Sequence, residues 1–230
     1  MMTITYFEIN RPHVLSMLEL ARVGKNDLFL DLGCGRGLAV RMAVTEFGAK
    51  AIGVEKNSFY YEAARKLAIK SLTKSQLKKV DFWYGDVNNA DISPDDNNEY
   101  VFNYKRATVV YDSFNQTKDD VWFYKKRLRK SVRLVRKDLP LYPYKPVAVS
   151  RKSNGCWFFL HKFPLKSVKS EREWCYHVLA EKDKQMRDVY AYYRHQLAKH
   201  FKNDHNKKYL VESTVKDLKK LVAKRPFPKK

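Results

Sequence analysis

Asp31-Leu-Gly-Cys-Gly-Arg-Gly37 places three glycines at alternate positions, the first of them two residues after a carboxylate. A bare turn of this kind, between a strand and a helix, brings backbone N–H groups and a helix N-terminus against a ligand. No Gly-Lys-Ser/Thr follows, so a phosphate loop is disfavoured. Three further polar positions sit where strands are expected to end: Glu55, the pair Gly85-Asp86, and Asp112 within Val110-Tyr-Asp-Ser-Phe-Asn115. Acids at strand ends in open α/β sheets cluster at sites. Cys34, Cys156 and Cys175 show no Cys-x-x-Cys spacing and the six histidines no His-x-x-x-His spacing, so no metal cage is expected. Cys34 reads as a small packing residue rather than a nucleophile, and the histidines, unpaired in sequence, read mostly as surface residues.

The elements that must position these residues follow from periodicity and punctuation. His13 to Val23 carries Val14, Met17, Leu18 and Ala21 on one helical face behind Pro12, and Gly24 closes it. Asp27 to Leu32 is a short apolar strand, Leu38 to Phe47 a helix and Ala51 to Val54 a second buried strand, which completes a βαβ unit. Ser58 to Ser71 is the next helix; Val80 to Tyr84 and Thr108 to Tyr111 are the third and fourth strands. Such alternation implies an α/β fold with a doubly wound, mostly parallel sheet. Farther on, Val121, Tyr124, Leu128, Val132 and Val135 repeat at helical spacing among nine basic residues between Lys118 and Lys137, the pattern of a basic amphipathic helix. Asn154-Gly155 between Val147–Ser150 and Cys156–Phe163 marks a β-hairpin.

Asp31, the three glycines, Glu55 and Gly85-Asp86 together resemble the class I S-adenosylmethionine-dependent methyltransferases. Pro12 with the helix after it, then Asp27 to Gly37, looks more narrowly like the small archaeal protein-lysine methyltransferases and distantly like the nucleosome-core histone lysine methyltransferases. The resemblance covers roughly residues 6 to 125. It implies a seven-stranded Rossmann-like sheet and S-adenosyl-L-methionine as cofactor. It also implies roles: Asp31 beside the methionine amino group, Gly33, Gly35 and Gly37 admitting the ligand, Glu55 on the ribose hydroxyls, and Asp86 with Val87 at the adenine. Tyr6 to Pro12 would fold over the cofactor as a lid, with Tyr6 in contact. Arg36 departs from the archaeal pattern, which commonly has Asp there; it either pairs with the methionine carboxylate or marks a pocket that has drifted.

Methyl transfer from a sulfonium is an in-line displacement, so few catalytic groups are demanded beyond alignment and exclusion of water. The loop after the fourth strand is not the Asn/Asp-Pro-Pro-Tyr/Phe motif of base-amine methylation and compares better with the polar-polar-Phe loop of the histone enzymes. In that comparison Asp112 could orient or deprotonate an amine, Phe114 wall the channel and Asn115 offer a hydrogen bond. The plainer alternative is that Asp112 and Ser113 cap a helix and Phe114 belongs to the core. Tyr111 reads as sheet packing.

Charge points to the partner. The chain has 46 Lys plus Arg against 25 Asp plus Glu; residues 1–100 hold 13 of each, so the whole +21 lies in residues 101–230. Tyrosine and tryptophan interleave with these cations, as on a phosphate-tracking surface with stacking groups. The expected organisation is a cofactor-binding domain over 1–165, a basic helical extension over 166–223 and a flexible basic tail over 224–230. Segment 118–230 is then expected to grip nucleic acid or a ribonucleoprotein. Sparse cysteine suggests a reducing, cytoplasmic setting, and no run approaches the ~18 apolar residues of a spanning helix, so no membrane partner is expected. Three functions fit: lysine methylation of a protein within a nucleic-acid-containing assembly, RNA methylation of ribosomal RNA or a 2′-hydroxyl, and a non-catalytic ribonucleoprotein-binding role.

Overall fold

A computed structural model of the chain describes residues 9–87, 103–113, 120–137, 141, 144–151 and 157–167. Helix α1 (Arg11–Leu20) starts at Asn10, whose side chain accepts from the His13 N–H at 3.1 Å, with Pro12 in the first turn. The chain leaves the helix through Arg22, which takes a positive φ of 50° before Gly24. Strand β1 (Leu28–Leu32), helix α2 (Leu38–Thr45) and strand β2 (Lys50–Glu55) form the expected βαβ unit, with Leu30 beside Ile52 and Asp31 beside Gly53. Helix α3 (Ser58–Ser71) buries Tyr61, Ala64 and Ala68, and the short α4 (Lys74–Leu77) opens on a capping box between Thr73 and Gln76. Strands β3 (Val80–Tyr84) and β4 (Val109–Asp112) follow, separated among the described residues by a 3-10 turn at Tyr104–Arg106.

The region read as one basic helix from 118 to 137 is instead a helix and a strand. Helix α5 covers Asp120–Arg127, and Arg133–Lys137 is strand β5, parallel to β4 with Val109 beside Arg133 and Asp112 beside Arg136. Leu128, Val132 and Val135 fit a helical period, but Leu134, Val135 and Arg136 are consecutive buried residues, as in a strand covered on both faces. The pairing edge of β4 claims this segment, and the tertiary contact overrides the local pattern.

Strands β6 (Ala148–Arg151) and β7 (Trp157–Lys162) form the hairpin, antiparallel to each other, and β7 pairs antiparallel with β5. The result is a seven-stranded sheet in the order β3-β2-β1-β4-β5-β7-β6. Phe29, Leu30, Leu134, Phe158 and Phe159 are fully buried within it. Helix α1 adds Met17 and Leu18 to the core and meets the hairpin where Ser16 and Ser150 share a hydrogen bond of 3.1 Å. The two described histidines are not surface residues: His13 is buried edge-on to Phe158, and His161 is fully buried, its Nε2 accepting the Leu141 N–H at 3.1 Å.

The sheet and the five α-helices among the described residues lie in one compact unit. A second unit contributes, among the described residues, the segment at 144–146 with Lys166 and Ser167, where Tyr144 and Ser167 form an antiparallel bridge. The expected helical extension lies almost wholly outside the described residues. No helix among the described residues is long and apolar enough to cross a membrane.

Candidate active site

The glycine loop leaves β1 and folds over the end of β2: the Gly33 and Cys34 N–H groups both donate to the Val54 carbonyl, at 2.8 and 2.9 Å. Gly33, Gly35 and Gly37 take φ of 83°, 53° and 72°, a left-handed path that glycine alone follows without strain. Gly37 has a second constraint, because a Cβ there would lie 2.7 Å from the Phe82 ring. Gly53, which sequence reading passed over, makes room for Cys34: its Cβ would meet Sγ at 2.6 Å. Burial and the carboxylates of Asp31 and Glu55 push the Cys34 thiol well above its ordinary range, which suits packing and opposes a thiolate nucleophile.

Glu55 ties the two loops together. One carboxylate oxygen accepts the Gly35 N–H at 2.8 Å and the other the Asn57 N–H at 2.9 Å. Each oxygen keeps acceptor capacity beyond these bonds. Asp31 is different: it is buried, it lines the cleft with Gly33, Gly35, Tyr111, Ser113 and Lys137, and its Oδ1 has no hydrogen-bond partner among the described residues. Burial first, then the neighbouring Glu55 and Asp112, raises the Asp31 carboxyl to about 8. A buried carboxyl with an unused oxygen is an acceptor waiting for a cationic donor.

Asp86 stands half-buried after β3 with Lys56 at 3.5 Å, next to Val87, and the Gly85 N–H before it donates to the Glu55 carbonyl at 3.0 Å. Arg36 is exposed and is not part of the cleft lining; its carbonyl accepts from Arg41 at 2.6 Å. Tyr111 is buried with its ring 6.4 Å from Phe158 and also lines the cleft. Tyr6, Phe114 and Asn115 lie outside the described residues.

The sequence profile of the family described as "Histone methylation protein DOT1" matches residues 2–114. A protein-lysine N-methyltransferase of Saccharolobus islandicus is 40% identical over 55 residues, a stretch that is 24% of this chain and 34% of that protein, so the match spans about a third of the relative's length. An RNA methyltransferase from Salinibacter ruber, solved with S-adenosyl-L-homocysteine, superposes with a TM-score of 0.59 at 25% identity over 71% of this chain and 98% of that one. A tRNA methyltransferase of B. subtilis gives a TM-score of 0.59 at 12% identity, covering 90% and 97%, and speaks to the fold alone. The chain has the fold of the class I S-adenosylmethionine-dependent methyltransferases.

The β4–β5 side of the cleft holds an arrangement that sequence spacing did not disclose. Asp112, at the end of β4, is buried and accepts a hydrogen bond from the Tyr124 hydroxyl of α5. Its register partner Arg136 brings Nε to 3.6 Å of the same oxygen. Asp112 is therefore neutralised by a cation and shared with a phenol, which suits it to hold α5 and β5 at the edge of the cleft. Lys137, one residue beyond Arg136, lines the cleft itself. The β4–β5 register sets Arg136 beside Asp112, and β5 carries Lys137 to the cleft; a helix over the same residues predicts neither placement.

Proposed function

We propose that this chain is a methyltransferase, which transfers the methyl group of S-adenosylmethionine to a lysine side chain of a protein within a nucleic-acid-containing assembly. The observation that carries the reading is the partnerless buried oxygen of Asp31 in the cleft, a place for an ammonium group. Asp31 would hold the methionine amino group, Glu55 the ribose hydroxyls through its remaining lone pairs, and Asp86 with Val87 the adenine edge. When bound, S-adenosylmethionine supplies a methyl group on a sulfonium, ready for in-line displacement. The chain's own contribution is alignment and shielding: the glycine loop is pinned by Glu55, and Asp112 positions β5 and α5 through Arg136 and Tyr124. The matched family profile and the archaeal relative support a lysine acceptor.

The likeness to the Salinibacter enzyme, which extends over nearly all of that protein, favours a second reading, methylation of RNA. One assay separates the readings. Incubation with methyl-labelled cofactor and fractionated cell extract should place label in a protease-sensitive, nuclease-resistant fraction that yields methyllysine on hydrolysis. Label in a nuclease-sensitive fraction would overturn the lysine acceptor in favour of RNA. Failure to bind S-adenosylhomocysteine would overturn the enzyme.

A further inference from the structure

The half of the chain that is neutral by count is not neutral by place. Between Lys56 and Lys79 the sequence has seven basic residues and one acid, Glu62. The structure puts Lys56 just before α3 and the other basic residues on α3, α4 and the turn into β3, which is the terminal strand of the sheet. Helix α3 turns Tyr61, Ala64 and Ala68 inward, so Phe59, Lys66 and Lys70, at i, i+7 and i+11, fall on the opposite side and are exposed. Lys74 and Lys78 continue the exposed row through α4. Glu62 is engaged by Arg65 at 3.5 Å, Lys56 by Asp86 and Lys79 by the Gly48 carbonyl, whereas Lys66, Lys70, Lys74 and Lys78 make no ion pair among the described residues.

Aromatic surface accompanies this charge. Phe59 is 74% exposed at the first turn of α3, with the Tyr60 ring edge-on to it at 5.5 Å. Tyr84 is exposed at the end of β3, its ring 5.6 Å from Tyr61 of α3. A 14-residue helix is roughly 21 Å long. Its aromatic end follows directly on Glu55 and so stands at the cofactor end of the sheet, with the lysines running away from it. A solvated helix needs no exposed phenylalanine, and an acidic protein partner would use the charges without calling for stacking platforms. A row of unpaired cations leading to exposed rings is the surface that an unpaired nucleic-acid strand uses, phosphates on lysines and bases on aromatic faces.

We propose that the α3–α4 face is a docking surface for single-stranded nucleic acid, with Lys66, Lys70, Lys74 and Lys78 tracking the backbone and Phe59 and Tyr84 receiving bases near the mouth of the cleft. The proposal stands whichever acceptor is methylated. The test titrates the full chain into a fluorescently labelled 12-nucleotide oligouridylate across a series of salt concentrations. Replacing the four lysines by glutamine should lower the slope of log affinity against log salt by about 3, since each phosphate contact on a single strand contributes roughly 0.7. Phe59→Ala should weaken binding about tenfold at fixed salt and leave the slope unchanged. Both variants should bind S-adenosylhomocysteine as the parent does, which shows that they are folded and keeps this proposal separable from the reaction. An unchanged slope in the lysine variant would overturn it. So would a Phe59→Ala variant that binds normally while polyglutamate displaces the oligonucleotide, because the face would then serve an acidic protein.

Discussion

At Asp31 a buried carboxyl makes a measurable demand. Its folded value of about 8 lies above the ordinary carboxylate value of 3.8, so between these limits the folded protein binds more protons than the unfolded chain. Stability of the ligand-free protein therefore falls as pH rises from about 4 to about 8 on account of this residue, the opposite of the usual carboxylate. Asp31→Asn removes the buried charge at little change in shape. It should melt roughly 5–10 °C above the parent at pH 9, and with little difference at pH 5, in scanning calorimetry without ligand. The same variant should lose 10- to 100-fold in affinity for S-adenosylhomocysteine, the value of a charge-assisted hydrogen bond. Calorimetric binding at pH 7 in buffers of different ionisation enthalpy should also detect proton release by the parent and not by the variant. A parent that melts higher than Asp31→Asn at pH 9 would mean that a cation of the chain itself pairs with Asp31. This residue was legible in the sequence because an acid, a strand and alternating glycines are contiguous. Arg136 was not, since nothing local relates it to Asp112.

Elements are held by a second carboxylate of opposite behaviour. Asp27 sits at the other end of β1, where it accepts from the Gly24 N–H at 2.9 Å, from the Thr108 hydroxyl at 2.7 Å and from Arg133. Arg133 in turn donates to the Ala21 and Arg22 carbonyls at 2.6 and 2.8 Å, which fastens the exit of α1 to β5, while Thr108 receives the Leu28 N–H at 3.0 Å. Burial alone would raise Asp27, but the hydrogen bonds from Thr108, Arg133 and Gly24 and the Arg133 charge hold it below its ordinary value. A lowered carboxyl contributes stability that is present above pH 3.8 and lost as pH falls through the folded value. Asp27→Asn should cost about 1–3 kcal/mol in urea unfolding at pH 7, and the gap to the parent should narrow as pH falls below 3.8. A gap that stays constant as pH falls would show that shape rather than charge governs the clamp. The clamp also explains where sequence reading succeeded and failed. α3 and β3 have the bounds expected because their hydrophobic patterns are unambiguous. β5 is defined by residues more than twenty positions upstream, and Leu128, Val132 and Val135 alone cannot separate a helix from a doubly covered strand.

For the whole molecule, the distribution of charge decides what the C-terminal segment can contribute. Residues 168–230 carry a net +9, whereas residues 101–167, which include β4 to β7, carry +12. More than half of the excess thus belongs to the stretch that builds the sheet, and the α3–α4 row adds a local concentration that the count over residues 1–100 conceals. The described candidate site residues, from Asp31 to Asp112, fall within the compact unit that contains the sheet. A chain ended after Ser167 should therefore keep its affinity for S-adenosylhomocysteine within about threefold. It should lose part of its oligonucleotide affinity and part of its salt slope, but not all of either, because the lysines of α3 and α4 and the cations of β5 remain. Paired titrations of the two chains with cofactor product and with the labelled oligouridylate would read both quantities. Loss of all salt-dependent binding on truncation would return the nucleic-acid contact to the C-terminal segment alone. Loss of cofactor affinity would mean that residues beyond 167 complete the cleft, and the proposed division between a catalytic sheet and a basic extension would fall.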